Sequence, residues 1–158
     1  MKTDFILANA DKILEEHNKF VSRLNTEERT HYLISLYNYI HRKSLTGNEI
    51  DIKEGCICCV DFGNAYIKEI GYQHLAMVIQ VVADKAFVVP IISKKTKYKS
   101  NTQIILKKKK MKFLKNDSLL LLNDTKWINT SRIINIIGFI NPESEFFHNI
   151  RSKIIQMI

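Results

Sequence analysis

The chain has 158 residues, 24 Lys and Arg against 16 Asp and Glu, and a net charge of +8, a balance that favours polyanionic partners. Its hydrophobic share of 46% is enough for a buried core and excludes a disordered chain. No apolar run approaches the roughly 18–20 residues that cross a bilayer, and acids lie within and after the short N-terminal apolar patch, unlike a signal peptide; a cytoplasmic protein with reduced cysteines is expected.

Along the first segment Ile6, Ala10, Ile13, Leu14, His17, Val21 and Leu24 recur at three-and-four spacing, which predicts a helix over 3–24 with one packing stripe. Asn25-Thr26-Glu27-Glu28 supplies capping oxygens followed by acids, the signature of a second helix start. That helix runs to about Lys43, with Leu33, Leu36, Tyr37 and Ile40 on its expected packing face. His17, His31, His41 and His148 fall on helical segments and read as structural or surface residues. Residues 1–48 thus read as a helical hairpin, and the remainder, 52–158, as a separate unit.

From Ile52 the pattern changes to short runs rich in β-branched residues: CICCVDF, LAMVIQVVA, KAFVVPIIS, NTQIILK, SLLLLN and SRIINIIGFI. With no helix between them, they predict an antiparallel, strongly curved sheet, a small barrel in an α+β chain that is mostly β. Pro90 inside one run argues for an edge or a bulge there. Ten lysines lie between Lys94 and Lys115, either an anion-binding face or a solvated lysine-rich hairpin. Asn141-Pro142 opens a last helix, with Phe147, Ile150, Ile154 and Ile158 on its expected packing face. Cys56, Cys58 and Cys59 cannot converge on a metal from one strand, because Cys59 points away from the other two, so they read as small core residues.

Two blocks of the barrel segment resemble the PemK/MazF group of toxin–antitoxin ribonucleases. VDFGNAYIKEIGYQHLAMVIQ followed by FVVPIISK is similar to that family's strand, loop, strand and Val-Pro-Ile-Thr-Ser; DSLLLLNDTKWINTSRI is similar, without gaps, to its second block. The resemblance covers about Ile52 to the C-terminus and implies an SH3-like barrel, a homodimer, cleavage of single-stranded RNA without metal or other cofactor, and restraint by an antitoxin protein. It also places His74 at the family's catalytic arginine position and Ile92 at its threonine position, with the hydroxyl one residue later as Ser93. Glu69 keeps the loop acid, Ile67 replaces a loop glycine, and Lys126-Trp127 replace Arg-Thr.

Metal-free RNA cleavage needs a proton removed from a 2′-hydroxyl, another delivered to the leaving 5′-oxygen, and charge stabilised on the phosphoryl oxygens. His74 is suited to the proton transfer and Ser93 to the phosphoryl oxygen, so these two are the candidate catalytic residues. Lys68, Tyr72, Lys94, Lys95, Lys97, Lys126 and Trp127 are the candidate RNA contacts, since cations suit the phosphates of a single strand and rings suit its bases. Glu69 supports the loop. Against this stand plain structural readings: a lone rim histidine is most often a hydrogen-bonded surface residue, Ser93 a turn residue, and Trp127 a core ring. An alternative function keeps the barrel, drops catalysis with the lost threonine, and leaves a binding module for nucleic acid or protein.

Overall fold

In the computed structural model, which describes residues 3–45, 49–94 and 101–157, seven strands form one curled antiparallel sheet with helices at both ends. The expected first helix is divided into α1 (Thr3–Ala8) and α2 (Ala10–Arg23), because the Asn9 backbone, φ −116° and ψ 15°, leaves the helical region. α3 (Thr26–Arg42) starts where the capping signature lies. The Asn25 side chain accepts from the Glu28 N–H at 2.9 Å, and its amide donates to Glu28 Oε2 at 2.8 Å.

The packing faces of the hairpin differ from the expectation. α2 buries no residue, and Leu33, Tyr37 and Ile40 of α3 are exposed; the buried residues of α3 are Tyr32 and Ser35. His31, Ser35, Asn38 and Arg42 also recur at helical spacing, and this polar stripe faces the barrel. Hydrogen-bond partners on the barrel rim satisfy these groups, which offsets the cost of taking them out of water.

The strands are β1 (Cys56–Asp61), β2 (Gln73–Val82), β3 (Lys85–Ser93), β4 (Gln103–Leu106), β5 (Ser118–Leu121), β6 (Lys126–Asn129) and β7 (Ile133–Phe139). Their order is β4-β5-β3-β2-β1-β7, with β6 also on β3, a half-barrel. The short β6 is not among the expected strands; four residues between two turns give too little pattern to be seen. Strand alternation makes two apolar layers. Cys58, Val60, Ala76, Val78, Ala86 and Val88 are small and line one face, as a tightly curved sheet requires on its inner side. Ile57, Met77, Val89 and Leu120 face the other way and join Phe147, Ile150 and Ile154 of α4 (Glu145–Met157).

Pro90 is neither on an edge strand nor at a bulge. It stands opposite Ala76, at the place where β3 exchanges one outer neighbour, β6 on Lys85–Val88, for another, β5 on Ile91–Ser93. The missing N–H falls in the gap between the two partners. α4 begins later than Asn141-Pro142 predicts, and Ile158 lies outside the described residues. Asn141 accepts from the Glu143 N–H at 3.0 Å in a preceding turn, and Ser144 Oγ is the cap that accepts from Phe147 N–H at 3.2 Å. Among the described residues, no helix is long and apolar enough to cross a membrane.

Candidate active site

The site is built at the end of β1, where the chain leaves the sheet as the loop 62–72 and re-enters it at β2. Phe62 N–H donates to Tyr72 O at 2.8 Å and Tyr72 N–H to Gly63 O at 2.7 Å, so the base of the loop is pinned. Gly63 has φ 79°, and Lys68 and Tyr72 hold φ of 74° and 58° without being glycine. Non-glycine residues in this region cost roughly 1–3 kcal/mol, a strain that the pinned base sustains. Glu69 Oε2 accepts from the Tyr66 N–H at 3.1 Å, so the loop acid holds its own loop together.

Asp61 is the hub of the site. It is 5% exposed, yet its carboxylate accepts four hydrogen bonds, from Ser35 Oγ at 2.6 Å, Asn38 Nδ2 at 2.7 Å, Gly63 N–H at 2.9 Å and Gln73 Nε2 at 3.0 Å. Burial pushes this carboxyl up, but the bonds from Ser35, Asn38, Gln73 and Gly63 outweigh it and hold it below the ordinary carboxylate value. Two of those donors come from α3, so the helix is fastened to the strand end through one anion. Arg42 adds a second fastening, donating to Ser131 O at 2.8 Å and Ile133 O at 2.7 Å.

His74 stands opposite Val60 near the start of β2, one residue beyond the Asp61–Gln73 pair. Burial pushes its pKa down, and the charge of His31 on α3 lowers it further, so the free protein carries a neutral His74 near pH 7. His31 Nδ1 lies 3.1 Å from Gln73 Oε1, and its ring stacks on Tyr72 with centroids 6.2 Å apart and planes at 20°. Tyr72, a candidate RNA contact, thus already has a ring partner. Its phenol is pushed up by burial and then by Glu28 and Tyr32, and stays protonated.

Ser93 ends β3 and is exposed, paired with Ser118. Leu75 stands opposite Ile91, so counting on along the ladder brings Ile92 level with His74 and Ser93 level with Gln73. Ser93 is therefore one residue out of step with His74, and no hydrogen bond joins them among the described residues. Lys68 and Lys94 are exposed on the two segments that border the site, while Lys95 and Lys97 lie outside the described residues. Lys126 Nζ lies 5.6 Å from the Phe62 ring at the loop base. Trp127 faces away from it: 47% exposed, it packs on Phe87 at 5.1 Å, and Phe87 pairs with Gln80. Gln80 lies roughly 20 Å along β2 from His74 at about 3.3 Å per residue, so Trp127 does not share the rim with it.

Beside Asp61 a cleft of about 520 Å³ opens between α3 and the barrel, with Asn38, Arg42, Lys43, Asn64, Asn129 and Arg132 on its walls. Three cations and three amides around one cleft suit an anionic, hydrogen-bonding ligand. In the core, the thiol of Cys58 is pushed up to about 12, by burial first and then by Cys56 and Cys59, which leaves it without thiolate chemistry at neutral pH. Asp61 as a hub, and Gln73, Arg42 and Arg132 as site residues, are not among the residues expected from sequence. The signal that could have found them is the polar stripe of α3.

Fold and site together define a small barrel protein with a pinned loop, a histidine at its rim and a basic cleft alongside. Residues 53–158 match the PemK-like, MazF-like toxins of type II toxin–antitoxin systems, and the chain belongs to that family. No curated protein sequence matches it. Among solved structures it is similar to the Mycobacterium tuberculosis toxin MazF-mt6, at 11% identity and a TM-score of 0.46, over 65% of this chain and 93% of that one. The matched segment leaves α1, α2 and α3 outside it.

Proposed function

We propose that the protein is an endoribonuclease toxin that cuts single-stranded RNA in the cytoplasm by proton transfer from side chains, without a metal, and is held in check by an antitoxin protein. The observation that carries this reading is the family match over 53–158. The site supports it. His74 is the base that takes the 2′-hydroxyl proton, since burial and His31 keep its imidazole neutral. The 2′-oxygen then attacks the phosphorus, and the leaving strand departs with a 5′-hydroxyl, so the other product carries a 2′,3′-cyclic phosphate. Ser93 donates to a phosphoryl oxygen, and Lys94, with Lys95 and Lys97, supplies the positive charge. Lys68, Lys126 and the cleft beside Asp61 guide the strand. As in its family, the toxin works as a homodimer.

The test is a digest of single-stranded RNA with and without chelator, followed by identification of the product ends. Expected are chelator-insensitive cuts, cyclic phosphate ends, and a fall of about 10²-fold or more in rate for His74→Ala. As a base, His74 loses activity when pH falls below its pKa, and a bound phosphate raises that pKa above its value in the free protein. A folded protein that binds RNA and cuts none would replace this reading with that of a binding module.

A further inference from the structure

α2 and α3 meet at the end where the chain turns between them. Nε2 of His17 lies 2.7 Å from Tyr32 Oη, the Phe20 ring packs edge-on to Tyr32 at 5.6 Å, and Arg29 donates to the carbonyls of Val21, Ser22 and Leu24. Away from that end two apolar stripes stay open. On α1 and α2, Leu7, Ile13 and Leu14 are exposed, and α2 buries no residue. On α3, Leu33, Tyr37 and Ile40 are exposed at the four-and-three spacing of one face. At about 100° per residue, that face lies opposite Ser35, Asn38 and Arg42, the side that meets the barrel, so the barrel of the same chain does not cover it. The six side chains are between 43% and 70% exposed. α2 has 14 residues, a length at which a helix is marginal in water unless its apolar face is packed.

We propose that the apolar stripe of α1 and α2 docks on the outer face of α3 of a second copy of this chain, while the reverse contact closes a two-fold pair. Each stripe has its complement in the same chain, which is what a self-complementary interface requires. The charges fit an antiparallel docking. α2 runs from Asp11, Glu15 and Glu16 to Lys19 and Arg23, with Lys12 as the exception, and α3 runs from Glu27 and Glu28 to His41 and Arg42, with Lys43 just past its end. Laid antiparallel, the acidic end of each helix faces the basic end of the other, and the helix dipoles oppose.

Charge also favours a second copy over other occupants. The chain carries +8, but Asp11, Glu15 and Glu16 balance Lys12, Lys19 and Arg23 on α2, and Glu27 and Glu28 balance Arg29 and Arg42 on α3. Two copies therefore do not repel one another here, whereas an acidic protein or an anionic membrane meets no excess of cations. The size is adequate too. Roughly half of six large side chains is about 500 Å² of apolar surface per copy, and the flanking stems bring it towards the ~800 Å² per partner of a stable interface. The pairing rests on the helices alone. It is independent of the ribonuclease reading and of any pairing between barrels.

The experiment measures the mass of the full chain in solution over a wide range of concentration, for wild type, Leu14→Lys, Tyr37→Glu and an equal mixture of the two variants. Both positions are exposed, so the variants are expected to keep the barrel, which circular dichroism checks. Each variant alone is expected to weaken self-association by about 30-fold or more, the loss of one central apolar anchor. The mixture is expected to regain most of it. In a mixed pair one α2–α3 contact is intact, and the other sets a lysine against a glutamate. Variants that dissociate at the wild-type concentration would overturn the proposal, and so would a mixture no tighter than its parts. A lower melting temperature with no change in association would also overturn it, by showing that α2 closes on α3 of its own chain. Wild type that stays monomeric throughout would overturn it as well, and would leave the two stripes to a different protein partner.

Discussion

α4 reaches the sheet mainly through Phe147, Ile150 and Ile154, all within an apolar layer, with Arg151 at its side donating to Glu54 and Ile79 O, whereas α3 reaches it through Ser35, Asn38 and Arg42, whose partners are a carboxylate and two backbone carbonyls. Apolar contact is non-directional and tolerates small rotations of the helix. Hydrogen bonds to fixed acceptors set both distance and angle, so α3 is held in one orientation. A helix laid against the loop of the candidate site is fixed by the second kind of contact. A helix that only closes the core needs the first.

The largest effect expected from breaking this comparison is on the α4 side. Phe147→Ala should lower global stability by about 3–5 kcal/mol, read from denaturant midpoints, since a fully buried ring leaves a cavity. A loss under about 1 kcal/mol would show that the apolar layer does not depend on α4.

Asp61→Ala comes next, at about 2–3 kcal/mol, because it leaves buried donors without an acceptor. Here the position of the loss matters more than its size. Amide exchange should rise in α3 and stay low in α4; equal exchange in both helices would mean that the anion hub does not act on α3 alone.

Acid should separate the two helices in the same order. The folded Asp61 value is depressed, so its contribution is complete above the ordinary carboxylate value of 3.8 and is lost as pH falls through the lower folded value. His74 is depressed below 6.5, so the unfolded chain takes up a proton first, and stability starts to decline as pH falls below 6.5. The apolar layer under α4, Phe147, Ile150 and Ile154, has no proton to exchange. Acid titration followed by amide exchange should therefore release α3 before α4, and His74→Gln should flatten the branch just below pH 6.5.

Smallest on stability is the tetralysine. Lys108–Lys110 form an exposed 3₁₀ turn, with Lys107 bridging to Asp117 at 3.2 Å. Neutralising Lys107 to Lys110 should leave the melting temperature unchanged, while every phosphate that these lysines no longer neutralise reduces the salt slope of RNA binding by roughly 0.7. An unchanged slope would make the run a solvated face.

Much of this molecule is set by patterns that act over a few residues. Caps at Asn25, β-branched runs and turn residues determined where the elements lie, and the order of two strand blocks placed His74 at a loop rim. The same local pattern misjudged α3, because periodicity reports that a helix has two faces and not which one is buried. Leu33, Tyr37 and Ile40 form one stripe and His31, Ser35, Asn38 and Arg42 another, and only the barrel rim decides between them. It does so by offering Asp61 and the carbonyls of Ser131 and Ile133, partners up to 91 residues away in the chain. Trp127 was undecidable for the same reason: its neighbour Phe87 lies across a ladder between strands, and the sequence holds no short-range record of that pairing. Local chemistry determined the elements and the rim histidine, and only tertiary structure decided which side chains meet there, since that depends on acceptors the chain brings together from far apart.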